Sequence, residues 1–336
     1  MKTVRTQDAV GMPLAHDLTQ IIPGQYKGAR FKKGHIVTEE DIPVMLSMGK
    51  EHLYVLELGA DDVHEDEAGK RIAQAAAGAN IILKPKGEGK VELMAACRGV
   101  LRVDKHKLMQ LIDDDEVMFA TIQGNQLVEE GQLLAGTRVI PLYVSEQTVQ
   151  RAEAVTDIVH VDPMRAARVG IVTTGSEIYH GLIQDKFGDI LRKKFAALQC
   201  EVIGQVVSDD DEQMIADGIH QMIAQGADFI AVTGGMSVDP DDRTPAGIRR
   251  AGTEIITYGA PVLPGAMFLL GYLGDVPVVG LPGCVMYHGA SVFELVVPRV
   301  LAGERMDRQA IKLLGHGGLC QNCKQCTYPN CGFGKG

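Results

Sequence analysis

The rhythm of hydrophobic and polar positions changes twice along the chain, near residue 160 and again near residue 305. Up to about Val159 the elements are short and mixed. Val4–Thr6 and Leu53–Leu56 predict strands, and Val117–Ile122 a third. Thr38 stands as a helix N-cap, with Asp41 in the N3 place of a capping box. Glu67–Ala77 predicts a helix stopped by Gly78, and Val103–Asp113 a second helix. This pattern predicts an α+β accessory domain over residues 1–160.

From Ala167 onward the pattern becomes regular. Arg168–Thr173 reads as a buried strand, and Lys186–Leu198 as a helix whose stripe is Phe187, Ile190, Leu191, Phe195 and Leu198. Glu201–Val207 is the second strand, Asp211–Gln225 the second helix and Phe229–Thr233 the third strand. A short helix over Arg243–Arg250 follows, then two apolar segments, Glu254–Tyr258 and Pro277–Leu281. The last helix is expected from Tyr287 to Leu301, where Pro298 should kink it or end it near Val297. Strands and helices alternating over such short connections imply right-handed crossovers and a parallel sheet. Ligands bind beyond the carboxyl ends of the strands in sheets of this kind. The segments to inspect are therefore Thr174–Glu177, Thr233–Thr244 and Leu281–Cys284, which are also Gly-rich or acidic.

Composition narrows the classes. Of 336 residues, 46% are apolar and 23% charged, as in an ordinary globular protein. The 33 basic residues against 43 acidic ones give a net charge of −10, which disfavours sequence-independent nucleic-acid binding. The longest apolar candidate, Pro261–Gly274, is broken by Pro264, Gly265 and Gly271, so no membrane span is expected. The opening MKTVRTQDAV lacks the apolar core of a signal peptide, and the cytoplasm is the expected compartment. The seven cysteines stand out, because four of them crowd into residues 320–336.

Two strand-exit loops could carry chemistry. Gly234 and Gly235 let the backbone turn sharply after a buried strand and come close to a ligand. Backbone N–H groups there and at the next helix can bond phosphate oxygens. Asp239, Asp241 and Asp242 suit a Mg²⁺–phosphate pair or the amino groups of a heterocycle; the plainer alternative is that Ser237, Asp241 or Asp242 only caps the following helix. Gly280-Leu281-Pro282-Gly283-Cys284 offers a second anion-binding turn on the same edge. Cys284 there is either a thiol of lowered pKa or, more commonly for such a position, a small buried hydrophobe. His64, in the run His64–Glu67, reads as part of a solvated loop leading into a helix, with a metal site alongside Asp61 and Asp62 the lesser alternative.

The motifs carry a resemblance. Residues 165–304 resemble the molybdopterin-binding domain of MogA-type adenylyltransferases, MoeA-type molybdenum transferases and CinA proteins. Thr233-Gly234-Gly235 and Asp242-Arg243-Thr244-Pro245 match the family's T-G-G and D-x-T-P. Gly280–Gly283 matches its G-L-P-G, Pro264-Gly265 its P-G turn, and Pro298 the proline of its final helix. Thr173-Thr174-Gly175-Ser176-Glu177-Ile178 is similar to the T-G-D-E turn of the transferases. Before residue 160, AVGMPLAHDL and ARFKKGHIVTEEDI are faintly similar to the accessory part of MoeA-like proteins. The resemblance implies an α/β fold, a three-layer domain on a parallel sheet with a mixed edge over residues 161–304, with the accessory domain before it.

The resemblance also implies a site. Thr174, Gly175, Ser176, Asp185, Thr233, Gly234, Gly235, Ser237 and Thr244 would bind molybdopterin or its molybdenum form, together with Pro264, Gly265, Gly280, Pro282, Gly283 and Cys284. Glu177 and Asp242 would be its catalytic acids, with Mg²⁺ as an optional companion. The sequence departs from the transferases: Ser176 replaces an Asp, Phe187 an Asn and Cys284 an Asn, and Leu263-Pro264-Gly265-Ala266-Met267 stands where they carry K-P-G-K-P, with both lysines absent. Each lost charged contact costs about 1.5–3 kcal/mol. The departures favour binding over efficient metal transfer.

The tail, residues 305–336, carries Cys320, Cys323, Cys326 and Cys331 at C-x2-C-x2-C-x4-C spacing. Four thiolates so close suffice for one metal centre. Successive x2 spacings favour an iron–sulfur cluster over Zn²⁺, and Zn²⁺ over a free thiol cluster. Such a glycine-rich segment has little reason to fold without metal. The expected role is molybdenum-cofactor synthesis, insertion or handling, with molybdopterin as ligand and a molybdoenzyme or another cofactor-biosynthesis protein as partner. A homo-oligomer is expected by resemblance. Two other readings stand beside it: a CinA-like nucleotide pyrophosphatase, and a non-enzymatic pterin-binding redox sensor.

Overall fold

Val169, Ile171 and Val172, Phe229–Val232, Val278, Val279 and Leu281 are buried to 1% exposure or less, as strands covered on both faces must be. They lie in one six-stranded sheet, seen here in a computed structural model that describes residues 2–22, 26–56, 61–237, 239 and 242–336. The chain divides into two compact units, residues 1–97, 102–122 and 130–161 in the first and 98–101, 123–129 and 162–336 in the second.

In the first unit a four-stranded antiparallel sheet runs in the order Ile81–Gly87, Lys90–Ala95, Leu133–Val139, Val117–Thr121. The helix Glu65–Ala76 begins two residues before its predicted start because His64 caps it, accepting from the Asp66 amide. His64 Nδ1 also meets Lys33 Nζ at 2.7 Å, and its Nε2 meets the Ala15 carbonyl at 3.2 Å. The side chain is 8% exposed, so the solvated-loop reading of His64 is corrected: it is a buried cap. The Thr38–Asp41 box is half made. Asp41 accepts from the Thr38 amide at 2.9 Å, but the helix starts only at Asp41.

The second unit holds β1 (Arg168–Thr174), α1 (Ser176–Tyr179), α2 (Phe187–Ala197), β2 (Glu201–Ser208), α3 (Glu212–Ala224), β3 (Phe229–Thr233) and α4 (Thr244–Arg250). Then come β4 (Glu254–Tyr258), β5 (Leu269–Leu273), β6 (Val276–Leu281), α5 (Val292–Leu301) and α6 (Arg308–Leu313). The sheet order is β2-β1-β3-β6-β5-β4; the first four strands are parallel, and β5 and β4 form the antiparallel edge. Leu191, Phe195, Phe293 and Val296 from α2 and α5 pack with Val169 and Ile171. Ile215, Ile219 and Ile248 from α3 and α4 pack with Val172, Ile230 and Val232. These are the three expected layers.

Strand β5 lies inside the run that its prolines and glycines made look broken. Gly271 belongs there because a Cβ would lie 2.6 Å from Thr253 Cγ2 and 2.8 Å from the Glu254 carbonyl oxygen. The last helix also begins later than expected, at Val292. Ser291 caps it in a full capping box with Glu294, whose carboxylate accepts from the Ser291 amide at 2.7 Å.

Pro298 sits inside α5 without ending it. A proline has no N–H for the carbonyl four residues back, here Glu294. The Tyr328 hydroxyl, from the tail, donates to that carbonyl at 3.3 Å. The tail is packed on this unit in other ways too. Met306, Ile311 and Phe333 join its core, and Leu319 makes a parallel bridge with Leu263. No helix among the described residues is long and apolar enough to cross a membrane.

Candidate functional site

Because β1, β2, β3 and β6 are parallel and adjacent, their carboxyl ends open on one edge. Threonine hydroxyls tie these exits together. Thr174 Oγ1 lies 2.8 Å from Thr244 Oγ1, and Thr233 Oγ1 donates to the Leu281 carbonyl at 3.2 Å. All three threonines are at most 1% exposed, so they shape the edge from beneath.

Above them lies a cavity of about 610 Å³. Of the sequence-predicted residues it gathers Gly234, Gly235, Ser237, Asp242, Pro264, Gly265, Pro282, Gly283 and Cys284, and Phe187, Met236, Leu263, Ala266 and Met267 complete the lining. Thr174, Gly175, Ser176, Glu177, Asp185, Thr233, Thr244 and Gly280 are not among its lining residues. No Lys or Arg lines it among the described residues.

The glycines do two different jobs. Gly234 has φ +94°, and a Cβ there would lie 2.1 Å from the Thr174 carbonyl oxygen, so the fold itself demands glycine. At Gly283 an added Cβ would meet nothing within 4 Å, and φ is not positive. The fold does not need glycine at 283; what its absence of a side chain leaves is open ground on the cavity wall.

Asp242 accepts from the Ser237 amide at 2.6 Å, folding the loop back on itself. It does not cap α4, whose flanking Arg243 makes no side-chain cap. The capping alternative is thus corrected for Asp242, and Asp241 lies outside the described residues. Tyr258, which sequence reasoning passed over, donates to the Met236 and Ser237 carbonyls at 3.1 Å each. Burial, then the nearby Asp242, pushes its hydroxyl above the usual tyrosine range. Asp185 is engaged locally: it accepts from the amides of Phe187 at 2.7 Å and Gly188 at 3.2 Å, and from Gln205 Nε2 at 2.5 Å. Glu177 is exposed on α1, with Oε2 3.6 Å from where a Gly175 Cβ would stand.

Cys284 lies within a single 3₁₀ turn, Gly283–Met286, rather than a long helix. Burial raises its thiol pKa and outweighs the backbone contacts that would lower it, so the lowered-pKa alternative is corrected.

Two acids at the exit of β2 were missed. Asp209 accepts from Ser176 Oγ, and that bond, helped by the Asp210 amide and His180, holds its carboxyl below the usual range. Asp210 Oδ2 accepts from the Ser176 amide at 2.9 Å. Its Oδ1 is buried with no hydrogen-bond partner among the described residues, and lies 3.3 Å from where a Gly235 Cβ would stand. An unpaired buried carboxylate oxygen at a strand exit is an acceptor held ready for an amino group, or a ligand for a cation. Applying the strand-exit rule to all four parallel strands would have found it.

The tail cysteines line a separate cavity of about 760 Å³. Cys323 and Cys326 are exposed, Cys320 and Cys331 half-buried. Among the described residues no three His, Cys, Asp or Glu side chains stand close enough together to hold a metal ion. The segment is anchored by Phe333, 4% exposed, and by the Leu319 bridge.

Residues 170–302 match the family described as probable molybdopterin binding domain, and residues 3–57 a domain of unknown function. A curated relative, the molybdopterin molybdenumtransferase of Haemophilus influenzae, is 27% identical over 150 residues, 43% of this chain and 37% of that protein. The match therefore spans little more than a third of that relative's length. Among solved structures, the molybdopterin biosynthesis enzyme MoaB of Thermus thermophilus is 23% identical with a TM-score of 0.34, over 41% of this chain and 98% of that one. The CinA protein of Thermoplasma acidophilum is 17% identical with a TM-score of 0.33, over 36% of this chain and 92% of that one.

Proposed function

With residues 170–302 belonging to the probable molybdopterin binding domain family, we propose that this chain binds molybdopterin, or its metallated form, in the 610 Å³ cavity and handles it during molybdenum-cofactor biosynthesis or insertion. The observation that carries the reading is Gly283, a glycine the fold does not need, on the wall of a cavity at the carboxyl edge of four parallel strands. Backbone amides of the Gly234–Gly235 turn and of Gly283 and Cys284 would hold the phosphate, and the Asp242 carboxyl would meet amino groups of the pterin or a Mg²⁺. With no lysine or arginine among the described lining residues, cradling rather than charge pairing would hold the ligand. That supports binding and handling over efficient molybdenum transfer, with exposed Glu177 as the acid for any transfer step.

Isothermal titration with molybdopterin tests the site. Asp242→Ala weakens binding about tenfold, the equivalent of one charge-assisted hydrogen bond. Equal affinities in wild type and variant remove this cavity from consideration. The orphaned Asp210 oxygen also supports a CinA-like hydrolase step, for which ADP-ribose with Mg²⁺ is the probe. In the same proposal the tail thiols carry an iron–sulfur cluster or zinc, the chain forms a homo-oligomer, and a molybdoenzyme or another cofactor-biosynthesis protein is the partner.

A further inference from the structure

The pterin cavity and the cysteine cavity are joined at two points. Leu263 lines the first; its amide donates to the Gly318 carbonyl, and its carbonyl accepts from the Cys320 amide, each at 2.8 Å. Cys284 also lines the first, and its carbonyl lies 2.9 Å from Nδ1 of His288, which lines the second. A carbonyl oxygen only accepts, so His288 Nδ1 carries the ring proton.

The thiols line their cavity without converging. Cys320 is fixed by the Leu263 bridge, and Cys331 stands beside the anchored Tyr328 and Phe333. Between them, residues 321–327 form neither helix nor strand, and they carry the exposed Cys323 and Cys326. A metal that gathers all four sulfurs must draw this loop inward from its two tied ends. One end is the strand partner of Leu263. Each thiol that coordinates gives up its proton, so loading one Zn²⁺ with four thiolates releases up to four protons and changes no oxidation state.

We propose that the tail is a thiolate site for a soft metal centre and that its loading tightens the pterin cavity through the Leu263–Cys320 and Cys284–His288 links. The inference rests on the pterin reading for its ligand but not for its mechanical part. By linkage, a pterin that prefers the tightened cavity also raises affinity for the metal by the same factor.

The test uses the full chain, reduced and stripped by a chelator, with one equivalent of Zn²⁺ added back, and follows amide hydrogen exchange by mass spectrometry. Loading is expected to slow exchange not only in residues 318–326 but also in peptides covering 261–268 and 282–290. Slowing confined to 316–336, or no zinc uptake in competition with a chromophoric chelator, overturns the proposal. The double variant Cys323→Ser/Cys326→Ser, at two exposed positions that the packed core does not use, should lose both uptake and remote protection. Uptake and remote protection that survive in it overturn the proposal as well. Molybdopterin titrated into loaded and stripped chain should bind about fivefold tighter to the loaded form, the low end of allosteric couplings. Equal binding refutes the coupling. Absence of molybdopterin binding in both forms refutes the pterin reading instead, and the exchange data, which contain no pterin, still decide the mechanical link.

Discussion

Replacing Tyr328 with Phe removes one hydroxyl and leaves its ring in place against Phe333, whose centroid lies 6.1 Å away. The hydroxyl is the partner of the Glu294 carbonyl, which Pro298 leaves without a helical donor. At 3.3 Å the bond is long for O–H···O, so its own net value lies at the low end, about 0.5 kcal/mol. Orphaning a half-buried carbonyl adds a similar amount, for a total of about 1 kcal/mol. In a unit of this size that lowers Tm by about 2–4 °C. Burial raises the Tyr328 hydroxyl well above the usual range, so it stays a donor at any working pH. The decisive comparison repeats the change in a Pro298→Ala background, where the restored amide can bond Glu294 and Tyr328 becomes dispensable. Calorimetry of the four proteins should give a coupling of about 1 kcal/mol, the whole effect of Tyr328→Phe. The same Tm drop in both backgrounds refutes the reasoning.

Two further predictions concern other parts of the chain. Gly283→Val should leave Tm within about 1 °C and abolish molybdopterin binding, whereas Gly234→Ala, with its Cβ 2.1 Å from a carbonyl oxygen at φ +94°, should cost more than about 2 kcal/mol in a thermal melt. Burial first, then Lys33, lowers the His64 pKa below its ordinary 6.5, so the folded state holds that ring neutral while the unfolded chain takes up the proton. The stability this contributes is complete above pH 6.5 and falls away as pH drops below it. His64→Gln should flatten that slope in urea melts between pH 7 and 5, and an unchanged slope refutes the assignment.

The regular half of the fold was legible because each fully buried strand is an unbroken aliphatic run; the predicted bounds of Phe229–Thr233 coincide with β3. What escaped was set by distant contacts. Gly271 looks like a breaker in sequence but is the residue that lets β5 pass Thr253. The helix begun by Ser291 was placed too early because the apolar run before it hid the Ser291–Glu294 box. At the site, the Gly234 and Gly283 turns were readable from strand-exit logic and from the resemblance. The different reasons for their glycines were not, since these depend on which atom stands where a Cβ would be. Asp210 was passed over because the exit of β2 was not among the segments singled out for inspection. Asp211 does cap α3, while its neighbour faces inward.

A cavity lined by a carboxyl group and by no described lysine or arginine, on a chain of net charge −10, cannot recruit its ligand by attraction at a distance. The ubiquitous small anions of a cell, inorganic phosphate and free nucleotides among them, gain nothing there from their charge. A ligand has to win its place through a flat ring system that fits beside Phe187 and Met267 and through hydrogen bonds available only at contact. Poor in long-range pull, the site is correspondingly hard to occupy with the wrong anion, a property that suits the proposed pterin ligand amid abundant phosphates.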